Sequence, residues 1–255
     1  MIRFAAASLL LLPIVVGAQT AQQQSEAAQQ KSAAVQSSDY QQPTMRLDFR
    51  FPQSNPPEYH LTLRADGSGT FEEPANEKIN EFTTQFRVDP SVARELLEEI
   101  EATHYLSGSY DFTKHKVADT GEKHLVYSGN GMRGEATFHY TEDPTVQKLT
   151  ARLQSIAVTQ DFGRRLTFDR RFEKLALDAD IKRLVEMFNS GQATDMDSIA
   201  DILKSLMDDS AVLNTVRMRA KELLRRADAD AATSKRGSRD TKPLPSDLFQ
   251  SHPKR

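Results

Sequence analysis

Residues 44–69, TMRLDFRFPQSNPPEYHLTLRADGSG, carry a strict period of two. Met45, Leu47, Phe49 and Phe51 alternate with Thr44, Arg46, Asp48 and Arg50, the pattern of a strand with one face buried. Tyr59, Leu61, Leu63 and Ala65 repeat it against His60, Thr62 and Arg64. Asp66-Gly67-Ser68-Gly69 then supplies residues that tolerate positive φ, so a hairpin leads into a return strand beginning at Thr70 to Glu72. Strands with one apolar and one polar face predict an antiparallel sheet covered on one side.

Further strands are predicted over Phe82 to Val88, Glu122 to Ser128 and Arg133 to Tyr140, the last two flanking a Gly129-Asn130-Gly131 turn. Asp89-Pro90 and Asp143-Pro144 each predict a helix start. The Asp oxygen can accept the orphan N–H groups, and Pro at the first helical position gives up no hydrogen bond. After the first, Val92, Leu96, Leu97 and Ile100 line one face of an acidic amphipathic helix; after the second, Val146, Leu149, Leu153 and Ile156 form a matching stripe. The recurrence of Asp-Pro-Ser-Val at 89–92 and Asp-Pro-Thr-Val at 143–146 reads as two separate uses of one capping solution, because the flanking residues differ. These elements define an α+β fold over residues 43–162, an antiparallel sheet with two helices packed on one face.

Beyond Gly163 the apolar spacing becomes helical throughout. Stripes run through Phe172, Leu175, Ile181, Leu184, Val185 and Phe188, then Ile199, Ile202, Leu203 and Leu206, then Val212, Val216, Ala220, Leu223 and Leu224. Residues 163–227 are therefore a small all-helical region. One helical hairpin buries little alone, so the region is expected to pack on the first domain or to engage a protein partner or a second copy. Residues 19–42 are rich in Gln, Ala and Ser and read as a disordered linker, as does a tail over residues 228–255. Within that tail Pro243-Leu244-Pro245-Ser246-Asp247-Leu248-Phe249 reads either as accidental apolar residues in an unstructured end or as a short docking peptide.

At the start of the chain Arg3 precedes an apolar run from Phe4 to Val16, and Val16-Gly17-Ala18 places small residues where signal peptidase requires them. Residues 1–18 are expected to form a signal peptide cleaved after Ala18. The run, interrupted by Pro13, is shorter than the ~20 residues that span a bilayer, and no transmembrane segment is expected after cleavage. The mature protein is expected in the periplasm or outside the cell, held by its core alone because the chain has no Cys.

Composition removes several functions. Without Cys there is no thiol nucleophile and no thiolate metal site, and without Trp, at 7% aromatics, there is little for stacking sugars or bases. Residues 43–161 hold 12 Lys and Arg against 19 Asp and Glu, which opposes binding of a phosphate backbone. Residues 162–255 hold 19 against 15, too slight an excess to make nucleic acid a partner. Gly-x-Ser-x-Gly, P-loop and dinucleotide motifs are missing, so no cofactor is expected.

The remaining site candidates are weak by motif. His60, His124 and His139 share a sheet face if their strands are neighbours, and three imidazoles can bind zinc, yet their spacing matches no metal signature. Asp111, His115 and Asp119 recur every four residues, but Gly108 and Gly121 argue for a solvated loop there rather than a helix. The pairs Glu72-Glu73 and Glu98-Glu99 point in different directions on any regular element and read as solvent-facing acids.

The order of Tyr59-His60-Leu61-Thr62-Leu63-Arg64-Ala65-Asp66-Gly67, a helix ending in Ile100, Tyr105-Leu106, Ser109-Tyr110-Asp111, a strand pair and a last helix resembles a family of exported bacterial domains of unknown function. The resemblance covers about residues 58–158. It implies a small α+β domain of the bacterial envelope and brings no active site with it. The expected function is accordingly a non-enzymatic binding or assembly module of the cell envelope. One alternative is a hydrolase or metal-dependent enzyme whose site the fold assembles around Asp111, His115 and His139. A second is a peripheral protein that touches anionic surfaces through its basic C-terminal region.

Overall fold

The computed structural model describes residues 42–76 and 80–237. The expected signal peptide, nearly all of the 19–42 linker and the Pro243–Phe249 cluster lie outside the described residues. The chain is an α+β protein whose six strands, β1 (Thr44–Arg50), β2 (Glu58–Arg64), β3 (Ser68–Glu73), β4 (Phe82–Arg87), β5 (Glu122–Gly129) and β6 (Met132–Phe138), form one sheet in the order β4-β3-β2-β1-β5-β6. Every neighbouring pair is antiparallel.

The period of two sets the faces. Met45, Leu47 and Phe49 of β1, Leu61 and Leu63 of β2, Phe71 of β3 and Leu125 and Tyr127 of β5 all point inward. Helix α1 (Pro90–Ala102) covers them with Ala93, Leu96 and Ile100, and α2 (Pro144–Phe172) covers them with Val146, Leu149, Leu153 and Ile156. Each fully buried Leu in this layer contributes about 2 kcal/mol. Both helices start at their expected caps: Asp89 accepts from Ser91 N at 2.9 Å, and Asp143 accepts from Thr145 N and Val146 N at 2.9 Å each.

Helix α2 continues to Phe172 and serves two cores. The first ends on it at Ala157 and the second begins at Phe162, so the expected division near residue 162 separates two cores but falls inside one helix. Phe162 and Leu166 pack with α3 (Leu177–Asn189), a 3-10 turn (Met196–Ile199), α4 (Ala200–Asp208) and α5 (Asn214–Gly237). Ile181, Leu184, Ile199, Leu203, Leu206, Val212, Val216, Ala220 and Leu223 close on one another and on α2, whereas Phe172 and Leu175, expected in the first stripe, are exposed. The 3-10 turn and the residues leading into it are tied to α2 by hydroxyls and an amide. Thr159 Oγ1 donates to Thr194 O at 2.6 Å and Gln160 Nε2 to Ser198 Oγ at 2.7 Å.

Helix α5 runs to Gly237, past the Asp228 at which the sequence suggests that order ends. Its apolar stripe stops at Ala227. The Ala-rich segment that follows has high intrinsic helix propensity, and extending an existing helix avoids the cost of nucleation.

Between α1 and β5 the chain makes a tight crossing. His104, Tyr105 and Leu106 are consecutive left-handed residues with φ of 53°, 56° and 62°, each costing about 1 kcal/mol or more outside Gly. Thr103 Oγ1 holds the crossing by donating to Ile100 O at 2.6 Å and accepting from Leu106 N at 3.1 Å. Leu106 is thereby buried against the first core, beside Gly134 of β6.

Candidate functional site

Beyond the edge of the sheet at β4, the second half of α2 and the start of α4 enclose a groove of about 780 Å³. Phe82, Thr84 and Gln85 of β4 form one side, Ile199 and Ile202 stand opposite, and α2 contributes Gly163, Arg164, Thr167, Phe168, Arg171 and Phe172. Phe168 and Phe172 are 48% and 62% exposed, unusual for Phe and localised to this rim. A concave, largely apolar surface with a few convergent polar groups is the common form of a binding site.

A buried ion cluster underlies the groove. Glu73 closes β3 and points inward because it follows Phe71 by two residues; its side chain has no solvent exposure. This corrects the reading of Glu72-Glu73 as solvent-facing. Glu99 is likewise largely buried, held by Arg152 Nη1 and Lys148 Nζ at 2.8 Å each. Arg164 reaches from α2 to Glu73, Nε to Oε2 at 2.9 Å, while its Nη2 donates to Asp161 Oδ1 at 2.9 Å and its guanidinium lies over the Phe82 ring. Among the described residues no donor in hydrogen-bonding geometry reaches either Glu73 oxygen, so this carboxylate depends on the Arg164 charge. Burial pushes both Glu73 and Asp161 up from their ordinary values, with Arg164 opposing the shift in each.

One residue further along α2, Arg165 grips Asp180 of α3 through both its Nε and Nη2, and Asp169 sits beside the same carboxylate. Burial, reinforced by Asp180, lifts Asp169 to about 6. Its folded value therefore exceeds the ordinary ~3.9, so the stabilisation from its proton is complete below pH ~4 and lost as pH rises through ~6. Asp169→Asn keeps a donor toward Asp180 without titrating. The variant is expected to match the parent at pH 4 and to exceed it by about 2 kcal/mol at pH 7.5, read from urea unfolding at both values; parallel pH profiles for the two proteins would refute the raised Asp169 carboxyl.

The histidines are arranged differently. β1 lies between β2 and β5, so Asp48 faces His60 on one side and His124 on the other. His60 Nδ1 is 2.6 Å from Asp48 Oδ1, His124 Nδ1 is 3.3 Å from Oδ2, and Arg46 Nε donates to Oδ1 at 2.7 Å. The far nitrogens approach Glu58 and Glu135 at 3.9 and 4.0 Å. This alternating row lies on the open face of the sheet and does the work of cross-strand pairs, about 0.2–1 kcal/mol each. His139 follows the last residue of β6 and is not part of it.

Asp111 and His139 do meet, but through the His139 backbone: its N–H donates to Asp111 Oδ1 at 2.9 Å. His115 is exposed and stands edge-on against the Phe112 ring at 4.7 Å. Their side chains do not converge on one cavity, and among the described residues no group of three or more His, Asp or Glu is placed to hold a metal ion. Nearby, Lys123 is buried and donates to Thr120 O, Gly121 O and His139 O at 2.7–2.8 Å, pinning the loop to β6; burial pushes it down to about 8.

The groove residues carried a faint signal at most in the sequence. Inward alternation points to Glu73, and the i, i+3 spacing pairs Asp161 with Arg164. Nothing local says that Arg164 crosses to β3. Fold and groove together define an α+β protein with a helical annex and a lateral groove. The sequence matches no protein-family model. No curated protein matches it either.

Proposed function

We propose that this chain is an exported, non-enzymatic binding module of the bacterial cell envelope, and that the groove beside β4 is its working surface. The groove carries the reading: about 780 Å³ of mostly apolar surface, lined by exposed phenylalanines and two arginines. Arg164 is committed to Glu73 and Asp161, whereas Arg171 makes no ion pair among the described residues and stacks on Phe172 at 5.1 Å. A guanidinium beside apolar walls suits a ligand that is apolar along its length and anionic at one point. Export rests on the Arg3, Phe4–Val16 and Ala18 pattern. No described helix is long and apolar enough to cross a membrane.

The direct test uses 1-anilinonaphthalene-8-sulfonate, an apolar anion whose emission rises on desolvation. Saturable binding to the native chain is expected, weakened about tenfold by Ile202→Glu, which places a negative charge on the apolar wall against the sulfonate. Circular dichroism checks that the variant keeps its fold. Absence of saturable binding, or binding indifferent to Ile202→Glu, refutes the groove as the working surface.

A further inference from the structure

We infer that the occupant of this groove is an extended stretch of another polypeptide, added as a seventh strand along the free edge of β4; the inference rests on the groove being the working surface. β4 ends the sheet, and among the described residues no strand pairs with its outer side. Edge strands are ordinarily blunted by Pro, Lys, an inward charge or a bulge. Phe82-Thr83-Thr84-Gln85-Phe86-Arg87 has none of these: its register to β3 is unbroken, and its inward positions are Phe82, Thr84 and Phe86. The opposite edge differs. Past the end of β6 the chain from Asp111 to Thr120 folds back and takes up the backbone of His139 and Tyr140.

The dimensions suit a linear ligand. The α2 wall runs from Gln160 to Phe172, about 18 Å at the helical rise, which matches five or six residues of extended chain. A strand added here satisfies its own N–H and C=O groups on β4. Every second side chain then turns toward Phe168, Ile199 and Ile202, and the others face water. Arg171 marks one end, where an Asp or Glu of the ligand would pair with its guanidinium. The preferred sequence is therefore alternating apolar and polar with an acidic residue near one terminus. A second copy pairing through its own β4 would bring a whole sheet and its covering helices against the Ile199–Ile202 wall, where the groove has room for one chain.

The test pans the full chain against a displayed library of random heptapeptides, then measures the enriched peptide by fluorescence anisotropy. Enrichment of period-two apolar sequences with an acidic end is expected. N-methylating alternate amides of that peptide, on the side that faces β4, preserves its side chains and should weaken binding at least about tenfold in one of the two phases. Arg171→Glu, at an exposed position, should weaken the acidic peptide about tenfold and leave its neutral analogue unchanged. Equal binding of both N-methylated peptides, enrichment without period two, or a dimer in sedimentation that excludes peptide would overturn the strand. If the naphthalene sulfonate binds and no peptide does, the groove stands and only the peptide falls; if neither binds, both fall.

Discussion

Arg164→Met lowers stability by about 3–5 kcal/mol at neutral pH, the cost of leaving buried carboxylates without their counter-charge. Glu73 has no exposed side-chain surface and no other ion-pair partner among the described residues, and Asp161 shares the same guanidinium. Methionine restores the volume of the Arg stem but not its charge, so the variant must fold by protonating acids whose native values burial already raises. The sign follows: a raised carboxyl is favoured folded at low pH, so the deficit is expected to shrink between pH 7.5 and pH 4.5. Urea midpoints at the two pH values measure it. The triple variant Glu73→Gln, Asp161→Asn, Arg164→Met should recover most of the loss, since a neutral set carries no unpaired charge. A uniform deficit at both pH values would mean that packing of the Arg stem, and not charge, is what Arg164 supplies.

Gly134→Ala is expected to cost a further class of energy, about 3–5 kcal/mol, by collision rather than by charge. A Cβ at this position would stand 1.6 Å from Tyr105 O, a backbone atom within the left-handed run His104–Leu106. Neither partner can give way cheaply: β6 is fixed by its ladder to β5, and the crossing is fixed by Thr103 and by the burial of Leu106. Thermal unfolding reads the loss, and hydrogen exchange should show it first at Tyr105, Leu106 and Gly134. Gly131→Ala in the neighbouring turn is the control, since open space surrounds it and only its φ of 74° is at stake; a penalty at Gly134 no larger than at Gly131 would show that the crossing yields.

What the sequence made legible follows from where the physics is local. Alternation through Met45, Leu47 and Phe49 and through Tyr59, Leu61 and Leu63 assigned both strands and their inward faces, because burial of one sheet face depends on residues two apart. Asp89-Pro90 and Asp143-Pro144 fixed two helix starts to the residue, because a cap is made within three positions. The candidate site is non-local and stayed hidden. It needs β3 to place Glu73 beneath a helix some ninety residues later, and it needs β4 to be an edge, which is a property of strand order. The side chains of Asp111, His115 and His139 do not converge for the converse reason: proximity along loops says nothing about direction, and the fold uses the Asp111 carboxylate to hold a backbone amide. The end of α5 was missed because apolar periodicity reports burial, and the last turns of that helix follow the exhausted stripe.

The sharing of α2 between two cores has a consequence for insertions. Between Ala157, the last buried residue of one core, and Phe162, the first buried residue of the other, with half-buried Val158 already packed on the second, the helix acts as a rotary coupling. One extra residue there would turn everything downstream by about 100° and advance it by about 1.5 Å, swinging the guanidinium of position 164 away from β3. An insertion of a whole turn comes close to restoring the azimuth but displaces the annex by more than 5 Å along the axis. The length of this short segment is thus under tighter physical constraint than its amino-acid identities.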